Sequence, residues 1–164
     1  MFPNQVNTTQ APGVEGDFAS VNPRHSLLSV PGGFLAGPQG LTIGRFAWTD
    51  ATGTILSNTG TGAPACFIHR AMQGSFNPYA VEGGMTILPG QGVGEMFDGG
   101  DFLARNTGTS ASTRGMKAFA STTDGSVSFG APGATVAGSV ETRWFAATPA
   151  AGGELVKITT MQLG

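Results

Sequence analysis

An all-β domain is the fold this sequence predicts, and three observations carry the prediction. Gly and Pro interrupt the whole chain; the stretches between them are short and rich in aromatic and β-branched residues; and Asp-Gly pairs separate several of those stretches. The longest segments free of both Gly and Pro are residues 139–148 and 154–163, ten residues each. A typical helix runs about 11–12 residues, whereas strands average about 5–6 and fit between the breaks. An interior Gly costs a helix about 1 kcal/mol and a Pro about 3 kcal/mol, so long helices have nowhere to sit.

Taken in order, the first 24 residues stand apart. They are rich in Asn, Gln and Thr, carry three prolines and show no period. Two readings stay open on the residues alone. One is a loosely packed terminus, the usual fate of chain ends. The other is an extended arm that orders on a partner, for which Val14, Phe18 and Val21 supply apolar anchors. Residues 41–48 (LTIGRFAW) read as one strand and residues 66–70 (CFIHR) as a short apolar one. Met96-Phe97 and Phe102-Leu103 flank Asp98-Gly99-Gly100 and read as a hairpin. Residues 116–121 and 126–129 flank Thr123-Asp124-Gly125 and read as a second, with the type I′ turn that Asp-Gly favours. Residues 139–148 alternate: Val140, Thr142, Trp144 and Ala146 share one face, and Glu141, Arg143 and Phe145 share the other. Residues 155–161 form the last strand. Residues 58–64 and 106–112 read as polar loops at mobile tips. Short strands at fairly regular spacing argue for a sandwich or barrel.

At 164 residues the chain suits one domain. A domain of that size buries roughly 70% of the surface its unfolded chain exposes, enough for a core without staples. Charged residues make up only 11%, well under the roughly 25% of an average soluble domain. A surface poor in charge and rich in hydroxyls and amides suits packing against other protein. The six Arg and two Lys form no basic run, so nucleic acid is not an expected partner. The single cysteine, Cys66, excludes a disulfide framework within the chain and reads as a buried small hydrophobe. No basic region followed by an apolar stretch opens the chain, and no apolar segment nears ~18 residues, so neither a signal peptide nor a membrane span is expected.

Chemistry is hard to assemble from these residues. A nucleophilic triad needs a His beside the nucleophile, and the chain offers His25, at the end of the first segment, and His69, in a strand where a structural role is the simpler reading. There is no Gly-x-Ser-x-Gly elbow. Glu95, Asp98 and Asp101 lie close in sequence, but two of them bracket a Gly-Gly turn, where Asp serves as turn former. They lack the spacing of an EF-hand loop, and no Cys and His set has zinc spacing. The glycine-rich run from Gly90 to Gly94 precedes no helix and no Gly-Lys-Ser/Thr, so it is not a phosphate loop. Eleven Phe against two Trp and one Tyr favour core packing over a carbohydrate platform. No enzyme, cofactor or metal is expected.

The sequence resembles the capsid cement, or decoration, proteins of tailed bacteriophages. The resemblance lies in Val14-Glu15-Gly16-Asp17-Phe18-Ala19-Ser20 with Asn22-Pro23-Arg24, and above all in Pro31-Gly32-Gly33-Phe34-Leu35-Ala36-Gly37-Pro38 running into residues 41–48. The hairpin at 116–129, Thr142-Arg143-Trp144 and residues 153–158 fit the same pattern, whereas residues 49–63 do not. The resemblance implies a single β-barrel or jelly-roll-like domain over residues 25–164 with an extended N-terminal arm over residues 1–24. It implies a structural protein on the outer surface of the expanded virion shell, made in the bacterial host cytoplasm. The implied partners are the major capsid protein and the chain itself, as a homo-dimer or homo-trimer. The arm would be the tether, with Phe2, Val6, Val14, Phe18 and Val21 as partner-binding residues, and deleting residues 1–20 would leave a folded domain unable to bind. A carbohydrate- or receptor-binding module on the virion, or a head-to-tail or tail component, are the alternatives.

Overall fold

The structure, a computed structural model, describes residues 13–70 and 85–161. Among them run fourteen strands: β1 (His25–Ser26), β2 (Phe34–Ala36), β3 (Leu41–Thr42), β4 (Phe46–Thr49), β5 (Ile55–Ser57), β6 (Cys66–Ile68), β7 (Thr86–Ile87), β8 (Gly92–Val93), β9 (Met96–Gly99), β10 (Asp101–Arg105), β11 (Lys117–Ser121), β12 (Val127–Gly130), β13 (Ser139–Ala146) and β14 (Leu155–Thr159). They assemble into a seven-stranded sheet ordered β1-β9-β6-β4-β5-β2-β8, a five-stranded sheet ordered β10-β14-β13-β11-β12, and a β3-β7 ribbon. All pairings are antiparallel except β2 with β5. The all-β, sandwich-like architecture is the one the sequence predicts. The five-stranded sheet also curls: a parallel bridge between Asn106 and Val127, with Thr107 N–H donating to the Val127 carbonyl at 2.8 Å, brings the end of β10 to β12.

The seven-stranded sheet is covered on both faces at its centre, and its sequence shows why. Phe46 and Trp48 of β4, Phe67 of β6 and Phe97 of β9 point toward the five-stranded sheet, where they meet Phe102, Trp144, Val156 and Ile158. Their neighbours Ala47, Cys66, Ile68 and Met96 turn the other way, into a second cluster with Phe34, Leu41, Ile43, Leu56 and Val93. A strand buried on both sides reads as a continuous apolar run, which is what Cys66-Phe67-Ile68 is. Burial, with a smaller push from the charge of Asp98, raises the Cys66 thiol to about 12, so the sulfur stays protonated and inert. In β13 one face meets the core: Thr142, Trp144 and Ala146 are buried, in the predicted alternation.

Four expectations need correction. Residues 41–48 are two strands: the chain turns at residues 43–45 and sends β3 to the ribbon and β4 to the large sheet. Asp98-Gly99-Gly100 makes no hairpin. Strand β9 pairs with β1 and β6, β10 pairs with β14, and the chain crosses between sheets at Gly100. Gly100 has φ 135°, and a Cβ there would lie 2.8 Å from Cβ of Arg24, so only glycine fits the crossing. The β11–β12 hairpin does form, but not through a type I′ turn. No non-glycine residue among those described has positive φ, and Asp124 therefore cannot take its I′ position. A four-residue loop closes instead, with Gly125 N–H donating to the Ser121 carbonyl at 2.8 Å and Ser121 N–H to the Ser126 carbonyl at 2.9 Å. Finally, the two polar loops are pinned at their first residue. Asn58 is buried, accepts from Thr42 N–H at 2.6 Å and donates to the Phe46 carbonyl at 2.9 Å. Asn106 is fully buried, donates to the Ser110 carbonyl at 2.9 Å and accepts from Gly108 N–H at 3.0 Å. A buried amide needs such partners, and finding them fixes the loop around it.

Candidate interaction site

The N-terminal segment is the candidate site that the sequence singles out, and its described part starts at residue 13. Residues 16–19 run antiparallel along the outer edge of β10. Gly16 N–H donates to the Leu103 carbonyl at 2.7 Å, Leu103 N–H to the Asp17 carbonyl at 2.9 Å and Ala19 N–H to the Asp101 carbonyl at 3.0 Å. An uncovered strand edge is a template for unwanted pairing, and here the chain covers its own. The segment then crosses to the other sheet, where β1 pairs with β9.

Phe18 fastens this seam. Its ring stacks on His69 at 3.8 Å between centroids and meets Phe97 edge-on at 5.5 Å and Phe102 at 5.4 Å. The guanidinium carbon of Arg24 lies 3.7 Å from the same ring centroid. Two groups under 4 Å from one centroid cannot share a face, so the ring is sandwiched between imidazole and guanidinium. Phe18 thus faces the chain's own core, not outward. Val14 and Val21, on either side of it, are 44% and 100% exposed. Phe2 and Val6 lie outside the described residues.

Around Phe18 the polar groups are matched one by one. The Gly16 carbonyl accepts from Arg70 N–H at 3.0 Å and from Nδ1 of His69 at 2.6 Å. A carbonyl cannot donate, so Nδ1 carries a proton. Nε2 of His69 stands 3.1 Å from Oε2 of Glu95. Burial pulls the imidazole below its ordinary range, against the Gly16 carbonyl and the Glu95 charge, which favour the cation. Asp17 pairs with Nε of Arg70 at 2.7 Å and accepts from Val14 N–H at 3.0 Å. Burial alone would raise its carboxyl, but those partners outweigh it and hold the group below the usual carboxylate range. Asp101 behaves the same way. Against the effect of burial, Ser20 Oγ at 2.6 Å, Thr159 Oγ1 at 2.5 Å and Asn22 Nδ2 at 2.6 Å keep it low. Glu15 reaches Arg105 at 3.1 Å.

The carboxylates that cluster in sequence diverge in space. Glu95 goes to His69, Asp101 to the seryl, threonyl and asparaginyl groups above, and Asp98 to Nη2 of Arg143 at 3.2 Å. Among the described residues no three His, Cys, Asp or Glu side chains gather as a metal site. The glycine-rich run holds β8, an edge strand. Trp48 and Trp144 are buried in the inter-sheet core, and Nε1 of Trp48 donates to the Gly62 carbonyl at 2.9 Å. An open cleft of about 320 Å³ beside Trp48 is lined by Thr49, Ser57, Thr59 and Thr61. The carboxylate at its rim, Asp50, is committed to the Thr52 hydroxyl and the N–H groups of Ile55 and Thr54, which hold it at about 2. That cleft has neither an exposed ring nor a free acid.

The seam could not be found from sequence. Val14, Phe18 and Val21 look alike as apolar anchors, and nothing local separates the one that turns inward. The partners of Gly16 and Asp17 lie 53 residues on, at His69 and Arg70, with no pattern linking them.

Comparison with known proteins places this architecture. A chain in the solved capsid of Myoviridae phage XM1 shares the fold, with a TM-score of 0.66 at 19% identity over 98% of each chain. No curated protein sequence matches. Residues 2–160 match the family described as XM1 gp53 minor capsid protein, and with nearly its whole length inside that match this chain belongs to the family.

Proposed function

We propose that this protein is a capsid cement: it binds the outside of the expanded phage shell and ties neighbouring major capsid protein subunits together against the pressure of packaged DNA. Membership of a minor capsid protein family makes it a structural protein of the virion, associated with other capsid proteins. That family match is the observation that carries the reading. The finer role is supported by the molecule's build. Its only cysteine is inert, its clustered carboxylates are engaged one by one, and its N-terminal segment is fastened at Phe18 while Val14 and Val21 stay exposed.

A ligand that binds the expanded lattice and not the unexpanded one stabilises the former by mass action. A modest contribution per copy is enough, because many copies act together through repeated attachment. The tether is residues 1–24, with Phe2, Val6, Val14 and Val21 as shell contacts. Phe18 serves it indirectly, by anchoring the root of the arm to the domain. The protein acts as a homo-dimer or homo-trimer, since closed symmetry avoids open polymers in solution. It is made in the bacterial host cytoplasm and joins the shell after expansion.

Cosedimentation with expanded capsids lacking the protein, with unexpanded procapsids as control, tests the reading. Saturable binding to expanded capsids alone is expected, and binding to neither would overturn it. Because residues 16–19 belong to the fold, the tether is tested by deleting residues 1–12, not 1–20. That truncated protein should keep its melting temperature and bind expanded capsids more weakly; unchanged affinity would remove the tether from the proposal.

A further inference from the structure

The seven-stranded sheet ends in β5, β2 and β8, and this end has an unusual surface. Leu35 and Ile55 stand side by side in register on β2 and β5, 45% and 38% exposed, while their strand neighbours Phe34, Ala36 and Leu56 are buried. Val30 lies in the loop leading into β2, against Gly53 of the β4–β5 turn. Leu88 sits in the β7–β8 turn, whose Gly90 N–H donates to the Ala36 carbonyl at 2.8 Å. Of the eight large apolar side chains most exposed among the described residues, these are four. The stretches around it, residues 30–40, 51–57 and 85–94, contain no Asp, Glu, Lys, Arg or His; the β4–β5 turn adds Asp50, whose carboxylate accepts from the N–H groups of Thr54 and Ile55 at 3.0 Å each.

We infer that this apolar, sparsely charged end of the sheet is the face laid onto the major capsid protein, and that it meets an apolar, uncharged patch there. The inference rests on the cement reading and names the surface that reading needs. Electrostatics narrows the occupant. A face whose nearest ionic group, Asp50, is already bound by the donors of its own turn offers nothing to phosphates, and it gains little from a charged protein surface, whose ions it would strip of water without a free partner. Size then separates the shell from a second copy. A patch of four partly exposed side chains is on the order of a few hundred Å², short of the ~800 Å² per partner that a stable free-standing complex buries. It cannot hold a dimer in dilute solution, and the homo-oligomer contact therefore uses another surface. On a shell, neighbouring subunits hold one oligomer at several points, and small patches suffice. The Val14 and Val21 contacts of the tether add to this face without overlapping it.

The test is Leu35→Asp/Ile55→Asp in the full chain, with Leu35→Thr/Ile55→Thr as a variant that keeps strand preference if the first fails to fold. Each is checked by thermal melting and size exclusion and then cosedimented with expanded capsids at low and high salt. The wild type should bind with little salt dependence, and the aspartate variant, equally folded, should bind about tenfold more weakly or worse. Wild-type binding matched by both variants overturns this inference and leaves the cement reading standing. Failure of the wild type to bind overturns both. A wild type that elutes as an oligomer which the variants break into monomers assigns the face to a second copy and overturns the shell assignment.

Discussion

The corner where residues 13–26 cross the molecule and the end formed by β5, β2 and β8 are built on opposite rules. At the corner Glu15, Asp17, Glu95 and Asp101 each have a partner within 3.1 Å, and the one aromatic ring is held between two cations or potential cations. At the sheet end the Asp50 carboxylate is bound only by its own turn, and apolar side chains face solvent. The corner spends its chemistry inside the chain; the sheet end leaves its own unspent. Substitutions at the first should therefore alter stability, and substitutions at the second should alter association with little effect on stability.

The largest expected effect is at Phe18. Phe18→Ala should cost about 2–3 kcal/mol, toward the low end of large-to-small core substitutions because the ring is not fully buried. Denaturant titration would measure it, and a change below about 0.5 kcal/mol, the range of ordinary surface substitutions, would break the comparison. Next is Asp101→Ala, which strips three hydrogen-bond donors of a charged acceptor and should cost about 1–2 kcal/mol.

Acid should act through the same corner in two stages. Folding lowers the His69 pKa, so the unfolded chain takes up the proton first. Stability is full above the ordinary histidine value near 6.5 and is lost as pH falls from there toward the folded value. Folding also lowers Asp17 and Asp101, whose contribution is full above about 4 and is lost as pH falls below that. Melting temperatures from pH 7.5 down to 3 would follow both stages. In His69→Gln the upper stage should vanish while the lower persists; an upper stage of unchanged size would place its origin elsewhere. The smallest stability effect belongs to Val21→Asp, within about 0.5 kcal/mol. If Val21 is a shell contact, the same variant binds capsids more weakly, which sharpens the separation between folding and binding.

The sequence carried the fold class well because strand length and breaker spacing are local properties. The alternation in β13 grouped Val140, Thr142, Trp144 and Ala146 on one face, and the last three of these are buried while Val140 is partly so. Contacts made across the chain were out of reach. Asp98-Gly99-Gly100 looks like a hairpin because both flanks are short and apolar, but whether two strands pair with each other or with different sheets depends on partners such as β14, which is more than fifty residues on. The asparagines that open the two polar loops look like surface residues because their burial rests on groups far along the chain, Thr42 and Phe46 for Asn58 and Ala150 for Asn106. Of the candidate anchors, Val14 and Val21 are exposed and Phe18 is not, a difference set by the distant His69 and Phe97.

The crossing of the N-terminal segment has a mechanical consequence. Residues 16–26 run antiparallel to residues 97–103, first along β10 and then along β9, so one continuous stretch grips both sheets on either side of Gly100. A tension applied to the N-terminus along the strand direction loads the bonds at Gly16, Leu103 and Ala19 in shear, all at once, and cannot open them singly as a peeling force would. Force entering through the arm is thereby divided between two layers of the domain at its root, close to the ring of Phe18, and need not be carried by either sheet alone.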